Sequence, residues 1–192
     1  MKVKDIINLE KPSLSFEVFP PKTQDKFEVV SSATTEIAKL KPDFMSVTYG
    51  AGGGTSRYTL DIAKNIKALY GVPTIAHLTC VSSTKETVKE KIRQIKAAGI
   101  ENVMALRGDL TPELMNSDRS GWDYRHAVDL IRDIKESGAD FCIGKTQNAA
   151  NPNGFASILT KSQHKILVSK SDSSLNVWLK ENYNEGYFIT GC

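Results

Sequence analysis

Apolar and polar positions along this chain follow two alternating periods. Short runs rich in Val, Ile, Phe and Met occur at Leu14–Phe19, Asp43–Tyr49, Pro73–Thr79, Asn102–Arg107 and Ala139–Gly144. Between them the spacing becomes helical. Phe27, Val30, Ala33, Ile37 and Leu40 form one stripe, and Leu60, Ala63, Ile66, Ala68 and Leu69 roughly form a second. Val88, Ile92 and Ile95 form a third, with Ser83-Thr84-Lys85-Glu86 in front as a capping box. A fourth helix, over about Trp122–Ser137, carries Val128, Ile131 and Ile134 and stops at Gly138. Strand then helix, repeated at roughly thirty residues, is the rhythm of a parallel sheet. The strands lack clean alternation, as strands covered on both faces should.

Four complete βα units and a fifth strand are recognisable. A closed eight-fold barrel needs about 250 residues, against 192 here. The pattern therefore predicts an α/β parallel-sheet protein, either an open sheet or part of a barrel. After Gly144 the character changes: Lys145–Cys192 is rich in Asn, Ser and Lys, and Asn148–Gly154 is a strong turn cluster. The chain divides into an ordered part, 1–144, and a divergent segment, 145–192, expected to be weakly ordered.

Composition narrows the class. Apolar content of 40% and charged content of 24% are those of an ordinary globular protein. A net charge of +3, without clustered basic and aromatic residues, argues against a nucleic-acid partner. No run approaches the about 18 apolar residues of a membrane span, and the first eleven residues lack the core of a secretory signal. Cys80, Cys142 and Cys192 are odd in number and far apart; reduced thiols in a cytoplasmic protein are expected, the first two buried and inert.

Polar groups collect where the apolar runs end. Glu17 lies inside the first run, two residues before a Pro-Pro stop, where burying an unpartnered charge is costly. It is either a partner for a nearby Lys or Arg across the barrel interior or a general acid with raised proton affinity. The next runs end in Thr48-Tyr49-Gly50-Ala51-Gly52-Gly53-Gly54, His77-Leu78-Thr79-Cys80 and Arg107-Gly108-Asp109. The glycine stretch matches neither phosphate-loop spacing; it reads as a turn permitting close backbone approach. His77 is either a hydrogen-bonded structural residue or a ligand-facing one, with no spacing that supports a metal site. Arg107 and Asp109 form an ion pair at a turn, or hold a phosphate and a polar ring edge. His126 and His164 carry no motif and default to the surface.

The four ordered runs Ser15–Lys22, Lys41–Ala51, His77–Cys80 and Ala105–Leu110 closely resemble the methylenetetrahydrofolate reductases, over about Leu14–Gly144. The resemblance implies a (β/α)8 TIM-barrel type of fold, here incomplete, with about five strands and four helices. It implies FAD as cofactor, NADH or NADPH as hydride donor, and 5,10-methylenetetrahydrofolate reduced to 5-methyltetrahydrofolate. Glu17 falls where the family has its general acid, which protonates a folate ring nitrogen and opens the five-membered ring to an iminium. Asp109 matches the aspartate between flavin and folate. Thr48, Tyr49, Ala51, His77, Arg107 and Gly108 match cofactor-lining positions, as does Tyr124 at the start of the fourth helix. A homo-oligomer is left open.

Beyond Gly144, Lys145-Thr146-Gln147-Asn148 departs from the family's Ala-Tyr-Pro-Glu-x-His-Pro-Glu-like loop, and the Thr-Gln-x-Phe-Phe-Asp strand is missing. The expectation is an altered or truncated barrel with two open sheet edges. Its alternatives are a non-catalytic fragment, or half of a split barrel that needs a partner chain.

Overall fold

The computed structural model describes residues 1–7, 13–50, 55–145 and 157–158. Five parallel strands lie side by side in chain order: β1 (Ser15–Val18), β2 (Phe44–Val47), β3 (Thr74–Thr79), β4 (Asn102–Leu106) and β5 (Cys142–Lys145). Four longer helices connect them: α2 (Phe27–Lys39), α3 (Ser56–Tyr70), α4 (Lys85–Ala97) and α6 (Ala127–Glu136). A first helical turn α1 (Val3–Ile6), a 3-10 turn at Gln24–Lys26 and a short α5 (Pro112–Met115) complete the elements, with β6 (Ser157–Ile158). The unreversed order decides between open sheet and barrel. Crossovers of one hand, with no switch in strand order, put every connecting helix on the same face, so the sheet forms part of a barrel wall.

The two faces differ accordingly. Val18, Val47, Ala76, Leu78, Val103 and Ala105 pack against the helices in the larger core. The opposite, inner face carries Phe44, Ile75 and Met104, which pack with Val3, Ile6 and Ile7 of the N-terminal turn. That turn closes the end of the sheet where strands begin. Asn102, 3% exposed, accepts from the Val3 amide at 2.7 Å and donates to the Met1 and Thr74 carbonyls at 3.2 and 3.3 Å. Strands β2 and β3 are buried along their whole length, their few polar residues included.

Local chemistry sets the helix ends. Thr84 caps α4 by accepting from the Thr87 amide at 3.2 Å, within the expected capping segment. Gly71, at φ +66, ends α3 in the left-handed conformation that side chains avoid. The fourth long helix begins at Ala127, five residues later than its pattern suggests. The Asp129 carboxylate accepts from the amides of Arg125 and His126, at 3.1 and 3.0 Å, and fixes that start. Tyr124 therefore precedes the helix. The buried face of α6 is Leu130, Ile131 and Ile134, whereas Val128 is exposed.

The expected open edges also need revision. β6 pairs antiparallel with β5, Gly144 opposite Ile158 and Lys145 opposite Ser157, so one edge is occupied. Beyond Lys145, β6 is the one segment among the described residues. The rest of the 145–192 segment, Cys192 and His164 included, lies outside the described residues.

Candidate active site

Register brings three polar side chains together on the inner face, near the ends of β1, β2 and β3. Glu17 pairs with Ser46 across β1 and β2, and β3 runs parallel beside them. Ser46 Oγ donates to Glu17 Oε1 at 3.1 Å. His77 Nε2 lies 3.6 Å from the same oxygen. That exceeds hydrogen-bond length, and Nε2 is a buried atom with no hydrogen-bond partner among the described residues.

The electrostatics favour a neutral pair over an ion pair. Burial pushes the Glu17 carboxyl above its usual range, and the Ser46 hydrogen bond pulls part of the way back. Burial likewise lowers the His77 imidazole to about 4, because desolvation penalises the charged form of each. Near neutral pH the imidazole is uncharged, and Glu17 is a carboxyl that keeps its proton more readily than an exposed one. A half-buried carboxylic acid beside a neutral base-type ring can donate a proton to a bound basic atom.

Around this centre, the strand ends form a rim. The Thr48 amide donates to the Val18 carbonyl at 2.9 Å, and the Thr48 carbonyl accepts from Thr59 Oγ1 at 2.8 Å, tying the end of β2 to β1 and α3. The Gly50 amide donates to Thr55 Oγ1 at 2.7 Å across the glycine-rich turn. Ala51, within that turn, lies outside the described residues. After β4, the Arg107 carbonyl accepts from the Val81 amide at 2.7 Å, locking the β3 and β4 ends together. Arg107 Nε donates to the Gly108 carbonyl at 3.2 Å. No ion pair joins Arg107 to Asp109 among the described residues, so that reading of the turn fails. Asp109 is exposed.

Gly108 has φ +89, and a Cβ there would stand 2.8 Å from Val81 Cγ1 and 3.0 Å from Thr79 Cβ. Close packing of the β3 and β4 ends therefore explains the glycine without any ligand. Tyr49 packs against the helix-side core. Tyr124 is buried in that same core, its hydroxyl donating to Asp133. Cys80 is buried with its thiol pushed up to about 12, and Cys142 is raised in the same way, so neither offers a thiolate near neutral pH. The described residues hold no group of His, Cys, Asp and Glu arranged for a metal ion.

Sequence reasoning found Glu17 and His77 but passed over Ser46. The available signal was a small polar residue in the apolar run Phe44-Met45-Ser46-Val47, one strand from a buried carboxyl. The polar set also suits a flat, polar-edged ligand: a carboxyl on the inner face, a guanidinium whose terminal nitrogens make no hydrogen bond among the described residues, and an exposed aspartate.

Comparison with known proteins adds a family. The model of the family described as methylenetetrahydrofolate reductase matches residues 2–174, past the point where the motifs stop. Methylenetetrahydrofolate reductase 2 of Schizosaccharomyces pombe is 39% identical over 165 residues, 80% of this chain and 24% of that protein. The 5,10-methylenetetrahydrofolate reductase of Pectobacterium carotovorum is 40% identical over 131 residues, 68% of this chain and 42% of its own length. Methylenetetrahydrofolate reductase (NADH) 1 of Arabidopsis thaliana is 33% identical over 140 residues, 73% of this chain and 24% of that protein. The chain thus matches between about a quarter and two-fifths of these relatives' lengths.

Proposed function

Because this chain belongs to the methylenetetrahydrofolate reductase family, we propose that its residues 1–144 carry the acid side of a flavin-dependent reduction of 5,10-methylenetetrahydrofolate to 5-methyltetrahydrofolate. The observation that carries this reading is Glu17, a half-buried carboxyl whose proton affinity is raised by burial at the ends of parallel strands. In this role Glu17 donates its proton to a ring nitrogen of the folate and is left as a carboxylate facing Ser46 and His77. Asp109, exposed on the rim, meets the polar edge of the ring system. Arg107 offers its unengaged guanidinium nitrogens to phosphate, the geometry that group favours.

Thr48, Ala51, His77 and Gly108 are assigned to the cofactor side, with Tyr49, packed against the helix-side core, behind them. Tyr124 supports that wall from behind, since its hydroxyl is committed to Asp133. The hydride chemistry belongs to FAD when it is bound, replenished from NADH or NADPH; the protein supplies orientation and protonation. The reading assigns the reaction to the cytoplasm, with no nucleic-acid partner. Among the described residues, no helix is long and apolar enough to cross a membrane.

A second reading draws on the partial coverage of the relatives: a non-catalytic piece that binds no cofactor alone, or half of a barrel that needs a partner chain. The visible spectrum of the purified chain after incubation with FAD separates the two. The enzyme reading expects flavin absorbance that co-elutes with the protein and bleaches with NADH or NADPH, and a Glu17→Gln variant that keeps the flavin but no longer reduces the folate. A colourless protein favours the second reading. Folate reduction at the wild-type rate by Glu17→Gln overturns the role given to Glu17.

A further inference from the structure

We propose that Ser46 and His77 are positioning residues that donate to a single oxygen of Glu17, Oε1, so that the other oxygen, Oε2, carries the proton and delivers it. The proposal rests on the reading of Glu17 as the acid and adds which oxygen acts and what holds it.

Geometry supplies the argument. Ser46 Oγ and His77 Nε2 converge on the same atom, at 3.1 and 3.6 Å. Both residues are buried, at 4% and 8% exposure, and His77 Nε2 is itself a buried atom, shut off from bulk water. A neutral imidazole carries one proton, on either Nδ1 or Nε2. With the proton on Nε2, the orphaned nitrogen becomes a donor aimed at Oε1, and a short movement on ligand binding makes the hydrogen bond. With the proton on Nδ1, Nε2 would need a donor. That donor would be a proton on Oε1, which would turn the oxygen that Ser46 donates to into a hydroxyl, the weaker acceptor. The arrangement that keeps Oε1 as the carbonyl acceptor has Ser46 O–H and His77 Nε2–H both donating to it, with the acidic proton on Oε2.

The consequence is chemical. Once that movement has brought His77 into reach, the carboxylate left when the proton leaves Oε2 has two donors on its other oxygen, and the charged product is stabilised. The side chains packed around this contact leave that balance undisturbed. His77 is the titratable group facing Glu17, from β3. Met104, across register from His77 on β4, and Ile75, two residues before it on β3 and across from Ser46, carry no charge. Arg107 and Asp109 follow β4, one strand beyond. Burial keeps the imidazole neutral down to about pH 4, so the arrangement holds through the physiological range.

The test needs neither cofactor nor folate. The ¹⁵N shifts of His77 and the ¹³C titration of the Glu17 carboxyl are read by NMR on the full 192-residue chain, with assignments from the Glu17→Gln and His77→Gln spectra. The expected result is the Nε2–H tautomer near pH 7. The Glu17 midpoint should move upward in Ser46→Ala and stay in place in Ser46→Thr, which keeps the hydroxyl. An Nδ1–H tautomer overturns the proposal, as does an unmoved midpoint in Ser46→Ala. If Ser46→Ala does not fold, the wild-type tautomer decides alone. A Glu17→Gln chain that still reduces folate would refute the acid role while leaving these NMR results intact, so the two failures are distinguishable.

Discussion

Replacing Asn102 with alanine should release the N-terminal turn from the barrel wall. The Asn102 side chain accepts from the Val3 amide at 2.7 Å and donates to the Met1 and Thr74 carbonyls at 3.2 and 3.3 Å. Truncation strands the Val3 N–H, whose residue is 1% exposed; an unsatisfied buried donor costs about 1–3 kcal/mol. The two longer bonds contribute about 0.5–1 kcal/mol each. The total loss is roughly 3 kcal/mol. With a urea dependence of about 2 kcal/mol per molar, the unfolding midpoint should fall by about 1.5 M. Hydrogen exchange supplies the local readout: the Val3 amide, protected in the parent chain, should exchange freely in the variant. A midpoint that moves by less than about 0.2 M, with Val3 still protected, would show that the apolar contacts of Val3, Ile6 and Ile7 hold the turn unaided, and that the assignment of Asn102 as its anchor is wrong.

Two further outcomes follow from the site and its rim. His77 has a folded-state pKa near 4 against about 6.5 for an exposed imidazole, so the unfolded chain binds the extra proton first. Its contribution to stability is present above pH 6.5 and is lost as pH falls toward 4, at up to roughly 1.4 kcal/mol per pH unit. Glu17, whose proton affinity is raised, acts in the opposite direction and persists in a His77→Gln variant. The wild-type minus variant difference in urea stability should therefore shrink between pH 6.5 and 4, and a constant difference would contradict a buried neutral imidazole. For Gly108→Ala, the positive φ and the 2.8 Å approach to Val81 Cγ1 together cost about 2–4 kcal/mol. A melting temperature lowered by about 10 °C is expected, and an unchanged one would mean the β3–β4 junction yields easily.

The periodic part of the fold was legible because burial and period coincide there. β2 and β3 are buried along their length and stood out as mainly apolar runs, and α4 buries the predicted Val88, Ile92 and Ile95. Helix stripes erred at their margins: Leu40, Leu69 and Val128 are exposed, and Ile62 and Leu130 are buried instead. A 3.6-residue spacing gives a face, but not how far the neighbouring sheet covers it. The late start of α6 was hidden because it depends on one carboxylate, Asp129, turning back on two amides. α1 was illegible for a different reason. Four residues carry no period, and the turn persists only because Asn102 and the inner apolar patch receive it. At the site, Glu17 stood out as a charge in an apolar run. Ser46 did not, because its significance comes from a cross-strand register that no local pattern displays.

The N-terminal turn also bears on how the chain assembles as it is made. Val3 leaves the ribosome well before its amide's partner, which lies 99 positions downstream. At about 5–20 residues per second, the two are separated by roughly 5–20 seconds of synthesis. Closing so long a loop must wait for β4, since the entropy is lost before any contact compensates it. During that interval Phe44 and Ile75 stand uncovered on the inner face of the growing sheet. That makes the unfinished wall, rather than the finished one, the species with most to gain from a chaperone.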